Sequence, residues 1–65
     1  MIKVNVYLNY VGGDAVIVGT IEGSSRNEII EKFKEVWLTE NREIECYGNS
    51  IEIVNEDGDC WYVYL

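Results

Sequence analysis

Hydrophobic and polar residues alternate from position 2 to position 10, with Ile2, Val4, Val6, Leu8 and Tyr10 on one side and Lys3, Asn5, Tyr7 and Asn9 on the other. Side chains of a strand point to its two faces in turn, so this run predicts a strand with one buried face. Gly12-Gly13 accepts the positive φ angles of a two-residue hairpin turn, which would set Val11 opposite Asp14, Leu8 opposite Ile17 and Lys3 opposite Glu22. Core residues then meet core residues and a lysine meets a glutamate. Ser24-Ser25 followed by Arg26, Asn27 and Glu28 forms a Ser-x-x-Glu capping box. Behind it Ile29, Ile30, Phe33, Val36 and Trp37 recur at helical spacing, which predicts a helix over 25–40 with these five residues on its apolar side. Gly19 stands where a strand side chain is expected, and its absence leaves room for Phe33 or Trp37.

The remainder reads as three strands, 43–47, 50–55 and 60–65, joined by Gly48-Asn49 and by Glu56-Asp57-Gly58. The second connection suits a type I turn closed by a left-handed glycine, which pairs Ile53 with Trp61 and Ile51 with Val63 and keeps Leu65 in the buried row. A two-residue turn at Asp57-Gly58 would bury Tyr62 and Tyr64 instead, and the turn chemistry favours the first register. The expected fold is a single α+β domain of order ββαβββ. One helix packs on a five-stranded, mainly antiparallel twisted sheet, with the first hairpin beside the last strand.

Composition narrows the chemistry. With 65 residues the chain makes one domain at most, and 48% hydrophobic content is enough for a thin folded core. Twelve acidic residues against five basic ones give a net charge of -7, which repels phosphate backbones and anionic membranes and favours basic partners. No apolar run approaches a membrane span of about 20 residues. Met1 leads directly into the strand pattern, so a cytoplasmic, reduced setting is expected for Cys46 and Cys60. Cys46 alternates with Ile44 onto the buried face, where a free thiol packs as a small hydrophobe, while Cys60 falls on the opposite face. The chain has no histidine, and its carboxylates lie on strands without an evident apolar pocket, so no enzymatic activity, cofactor or metal is expected. Glu56-Asp57-Gly58-Asp59 has the residues of a calcium loop but is followed by a hydrophobic strand, and Gly12-Gly13 precedes no helix that would complete a phosphate cradle.

One helix covers one face of a sheet, and the other face of an inert monomer should be polar. Here the uncovered face is expected to gather Tyr7, Val16, Val18, Tyr47, Val54, Tyr62 and Tyr64 among Asn5, Asn9, Glu43, Glu45 and Glu52. Tyrosine and valine are good strand formers and are also exposed without consequence on edge strands. Tyrosine is in addition enriched in interfaces. The Gly48-Asn49 turn further sets Glu45 opposite Glu52, a like-charge pair that opposes folding. In size, acidity and lack of catalytic groups the chain resembles the small acidic inhibitors of phages, nucleic-acid mimics and anti-CRISPR proteins among them. That resemblance is one of composition and implies a non-catalytic inhibitor or regulator that occupies a basic, nucleic-acid-binding surface of a partner protein. Tyr7, Glu43, Glu45, Tyr47, Glu52, Tyr62 and Tyr64 are the expected contact residues, and direct binding of nucleic acid or membrane is not expected. A structural or assembly module acting through homodimerisation or edge-strand pairing is the second reading.

Overall fold

A computed structural model of the chain describes residues 1–10 and 13–65. Two strands, β1 (Ile2–Asn9) and β2 (Ala15–Gly23), precede the helix α1 (Arg26–Trp37), and β3 (Arg42–Cys46), β4 (Ser50–Asn55) and β5 (Cys60–Tyr64) follow it. The strands form one sheet in the order β2-β1-β5-β4-β3, antiparallel at each pairing, so the first hairpin lies beside the last strand. This is the α+β arrangement that the alternation predicts.

Both C-terminal hairpins take their expected registers. Glu45 stands opposite Glu52, Ile53 opposite Trp61 and Ile51 opposite Val63. At the β4–β5 turn the Gly58 N–H donates to the Asn55 carbonyl at 3.2 Å, and Gly58 has φ 90°, the left-handed conformation that glycine adopts without a Cβ penalty.

The first hairpin departs from its predicted pairing. Lys3 does face Glu22, but a β-bulge between Val6 and Tyr7 leaves Val18 as an extra residue, so that Leu8 pairs with Val16 and Ile17 with Tyr7. Val16, expected on the uncovered face, thereby shares the Leu8 side, and Ile17 takes the place beside Tyr7. The ladder ends at Asn9 opposite Ala15. The expected Gly12-Gly13 turn and the pair of Val11 with Asp14 rest on Val11 and Gly12, which lie outside the described residues.

At the start of α1 the Ser25 hydroxyl accepts the Glu28 N–H at 3.2 Å. The Glu28 carboxylate in turn accepts the Ser24 hydroxyl and backbone N–H, each at 2.6 Å, which holds its pKa down to about 2 with Lys32 adding to the effect. The capping box therefore reaches one residue further back than its usual form. The helix stops at Trp37, short of the predicted position 40. Leu38 leaves helical geometry, Asn41 turns the chain with φ 67°, and Arg42 donates to the Trp37 carbonyl at 2.8 Å. The Arg42 guanidinium also lies 3.9 Å from the centre of the Trp61 ring. At the other end of the helix Arg26 donates to the Gly48 carbonyl at 2.9 Å. Two arginines thus tie the two ends of α1 to the two ends of the β3 segment.

The core lies between α1 and the middle of the sheet, where Val6, Ile21, Ile29, Phe33, Ile51, Ile53 and Val63 are buried. Adjacent strands lie about 4.8 Å apart, so the outer strands are separated by roughly 19 Å, whereas a helix with its side chains is only about 10–12 Å wide. The flanks of the sheet go uncovered. Cys46, expected in the core, is exposed although it pairs with Ile51 on the helix side, because β3 lies at the margin. Val36, expected to face the core, is 59% exposed beside β2, and Ile2 and Tyr10 at the two ends of the β1 run are also exposed.

Gly19 meets Trp37. A Cβ at position 19 would lie 3.0 Å and 3.2 Å from two atoms of the indole ring. Gly19→Val is expected to destabilise the fold by about 1–3 kcal/mol, the usual scale for overpacking. Urea unfolding measures it, and trimming Trp37 to Leu in the same chain should recover part of the loss beyond the sum of the two single effects.

Candidate functional site

The uncovered face is organised by one row that crosses all five strands. From the pairings, Ile17 stands opposite Tyr7, Tyr7 opposite Tyr62, Tyr62 opposite Glu52, and Glu52 opposite Glu45. Residues directly opposite in an antiparallel pair point to the same side with Cβ atoms about 4.5–5.5 Å apart. The row therefore changes from apolar to aromatic to acidic across the width of the sheet.

Tyr7 and Tyr62 are stacked, with ring centroids 5.3 Å apart and planes 20° from parallel. Tyr64 approaches both edge-on, at 6.1 Å from Tyr7 and 5.5 Å from Tyr62. Such geometries match the quadrupoles of the rings and stiffen the cluster. Tyr7 and Tyr62 are half-buried against one another, whereas Tyr64 is exposed. Burial, followed by the neighbouring Tyr64 and Tyr7, raises the pKa of the Tyr62 phenol.

The acidic half lies on β4 and β3. Glu43 and Glu45 are exposed and Glu52 is half-buried, with Glu43 opposite Val54 in the adjacent row. The like-charge pair of Glu45 and Glu52 is relieved by two donors. Tyr47 donates its hydroxyl to Glu45 Oε2 at 2.7 Å, and Cys60 donates its thiol to Glu52 Oε1 at 3.2 Å. The bond to the Glu45 carboxylate and the charges of Glu45 and Glu52 push the Tyr47 pKa up to about 12. Burial first, then the bond to Glu52 and its charge, raise the Cys60 thiol to about 12, so it remains protonated across the physiological range.

None of Glu43, Glu45 and Glu52 forms an ion pair among the described residues. Each of the five basic side chains is engaged elsewhere: Lys3 with Glu22, Lys32 with Glu28, Lys34 with Glu31, Arg26 at the Gly48 carbonyl and Arg42 at the Trp37 carbonyl. The three carboxylates therefore keep their charge without a direct counter-ion, and the nearest arginine along the chain, Arg42, adjoins Glu43 at one end of the group. A shallow hollow of about 440 Å³ lies at one end of this region, lined by Asn41, Arg42, Glu43, Val54, Asn55 and Glu56, away from the tyrosine cluster.

All seven residues anticipated as contacts thus lie on or at the rim of one face. Tyr7, Tyr62 and Tyr64 cluster on β1 and β5, and Glu43, Glu45, Glu52 and Tyr47 gather on β3, on β4 and at their turn. Sequence reasoning missed Ile17 and Cys60 as members. The position of Ile17 depends on the bulge, whose one local signal is the neighbouring mid-strand Gly19. Alternation alone puts Cys60 on this face, but its bond to Glu52 depends on the diagonal relation of the two positions across β4 and β5. No group of histidine, cysteine, aspartate and glutamate side chains able to hold a metal ion occurs among the described residues, nor is any polar or charged residue among them buried. No described helix is long and apolar enough to cross a membrane. No protein-family profile, curated protein or solved structure matches this chain.

Two titrations test the electrostatics. Alkylation by iodoacetamide near pH 8 should modify exposed Cys46 well before Cys60, and Glu52→Gln should quicken the reaction at Cys60 by removing the carboxylate charge that helps to hold its proton. Spectrophotometric titration of the tyrosines should show one phenol near 12 that moves back toward about 10 in Glu45→Gln.

Proposed function

We propose that this protein is a non-catalytic binding module whose uncovered sheet face docks on a basic, nucleic-acid-binding surface of a partner protein, acting as an inhibitor or regulator. The observation that carries the reading is the row in which stacked Tyr7 and Tyr62 adjoin Glu52 and Glu45, neither of which forms an ion pair among the described residues. Grooves that hold nucleic acid offer lysine and arginine to phosphates, and grooves for single strands add planar side chains that stack on bases. A surface carrying carboxylates next to stacked rings presents both kinds of group to such a groove. Its net charge of -7 also raises the rate of encounter with a basic surface.

The rigidity of the face supports this reading. Ring stacking and the two hydrogen bonds to carboxylates fix side chains before a partner arrives, which reduces the entropy lost on binding. The carboxylates keep further lone pairs for guanidinium groups, because each accepts only one of the bonds described above.

Capture from cell extract on the immobilised protein, followed by elution with salt or with added nucleic acid, tests the proposal. Retained proteins should be nucleic-acid-binding proteins that are displaced by competing single-stranded or duplex DNA and released as salt rises. Replacing both Glu45 and Glu52 with Lys should weaken their binding by roughly a hundredfold or more, the scale of lost charge pairs at an interface. Retention that is unchanged in this variant, with its fold verified by circular dichroism, rejects the proposal.

A further inference from the structure

The two edges of the sheet differ in chemistry. β3 carries Arg42, Glu43 and Glu45 among five residues, a charged edge of the kind that discourages pairing with another strand. β2, the longer edge strand at nine residues, carries no charge from Ala15 to Ile21. Its only charged residue is Glu22, which Lys3 neutralises from β1. Edge strands leave a row of backbone N–H and C=O groups to solvent, which another extended chain can take up in place of water; on β2 Lys32 already holds the Glu22 carbonyl at 2.6 Å, outside the uncharged stretch from Ala15 to Ile21.

Side-chain exposure narrows the choice of that chain. Val16, Ile17 and Val18 are consecutive and 45%, 59% and 42% exposed, although successive residues of a strand point to opposite faces. The helix does not reach this end of β2 on one side, and the tyrosine cluster does not cover it on the other. An occupant must therefore bring apolar groups to both faces of the sheet as well as backbone groups to the edge. β1 and β3 set asparagine, lysine or glutamate on the face opposite their aliphatic row, β4 sets Glu52 beside Val54 there, and β5, held between β1 and β4, has no free edge. β2 itself has the required two-sided apolar character.

Charge points the same way. Copies that each carry -7 repel one another, so a self-contact is least costly where both partners are neutral, and β2 offers seven consecutive uncharged residues at an edge. Val36 adds a further exposed apolar group on this flank, above Thr20 and Glu22 in the shallow groove between α1 and β2.

We infer that β2 pairs antiparallel with β2 of a second copy of this chain, about a two-fold axis perpendicular to the sheet, so that the two sheets become one. The contact is isologous and closed, which ends the assembly at a dimer and leaves the charged β3 edges outermost. The bulge at Val18 restricts the ladder to short straight segments on either side of it, so the dimer is in reversible exchange with the monomer. The perpendicular axis also sets both uncovered faces on the same side of the joined sheet. The inference does not depend on what those faces bind.

Sedimentation equilibrium over a range of protein concentrations and salt tests it. The intact chain should move from a mass of 7.5 kDa toward twice that value, and added salt should strengthen the dimer several-fold by screening the net charge. That response is opposite in sign to the one expected for a complex with a basic partner. Ile17→Lys and Val18→Lys, made separately, should each weaken the dimer by roughly tenfold or more. Hydrogen exchange on the intact chain gives a second readout that needs no variant: amides between Ala15 and Thr20 should become protected as concentration rises, and those of β3 should not. A monomer persisting to about 1 mM at high salt overturns the inference. So does a dimer that survives both lysine variants, or one that is broken by Tyr62→Ser while Ile17→Lys leaves it intact.

Discussion

One short helix has to seal a sheet about twice its width, and the rest of the structure follows from how that shortfall is distributed. Ile29 and Phe33 of α1 are fully buried against Val6, Ile51, Ile53 and Val63, which concentrates the core on the middle strands. The close approach of Trp37 to Gly19 brings the helix down on the β2 side as far as the sheet backbone allows. Little apolar material remains to cover the margins. Cys46 and Val36 are consequently exposed although each is expected on the apolar side, and so is Val16, which the bulge moves to the helix side of the sheet.

The same shortage shapes the far side of the sheet. With no second layer to cover it, that face is stabilised by its own cross-strand contacts, above all among Tyr7, Tyr62 and Tyr64. The opposition of Glu45 and Glu52 is tolerated because each carboxylate has a neutral donor, a phenol in one case and a thiol in the other. A hydrogen bond from a neutral group stabilises the carboxylate without cancelling its charge. Salt bridges would have stabilised the strands equally well but would have removed the negative potential, and the five basic residues are all occupied at other places.

Those parts of the fold governed by local chemistry were legible in the sequence. Asn55 to Asp59 specify their turn through Gly58, and that turn fixes the faces of β4 and β5. Gly48-Asn49 does the same for β3 and β4, and Ser25 with Glu28 marks the start of α1. What could not be read depends on distant residues. The end of the helix is set partly by Arg42 arriving from β3 to take the Trp37 carbonyl, while Thr39 and Glu40 alone do not forbid another turn of helix. The bulge at Val18 lies beside Gly19, a mid-strand glycine of the kind that marks bulges, but the glycine does not fix on which side of it the extra residue falls, and that residue exchanges the faces of Val16 and Ile17. The face shared by the tyrosines and glutamates followed from alternation, whereas their alignment in one row required the strand order as well.

Arg26 and Arg42 hold the β3 segment at both of its extremities, one through the carbonyl of Gly48 and the other through the carbonyl of Trp37 and the Trp61 ring. A five-residue strand with a neighbour on one side would ordinarily be the first element to fray. Bracketed in this way, β3 opens only with the loss of both arginine contacts, which couples the loosest margin of the sheet to the two ends of α1. Lysine in place of either arginine would keep the charge but lose the planar group that at position 42 bonds and stacks at once, and would uncouple that margin while leaving the central strands intact.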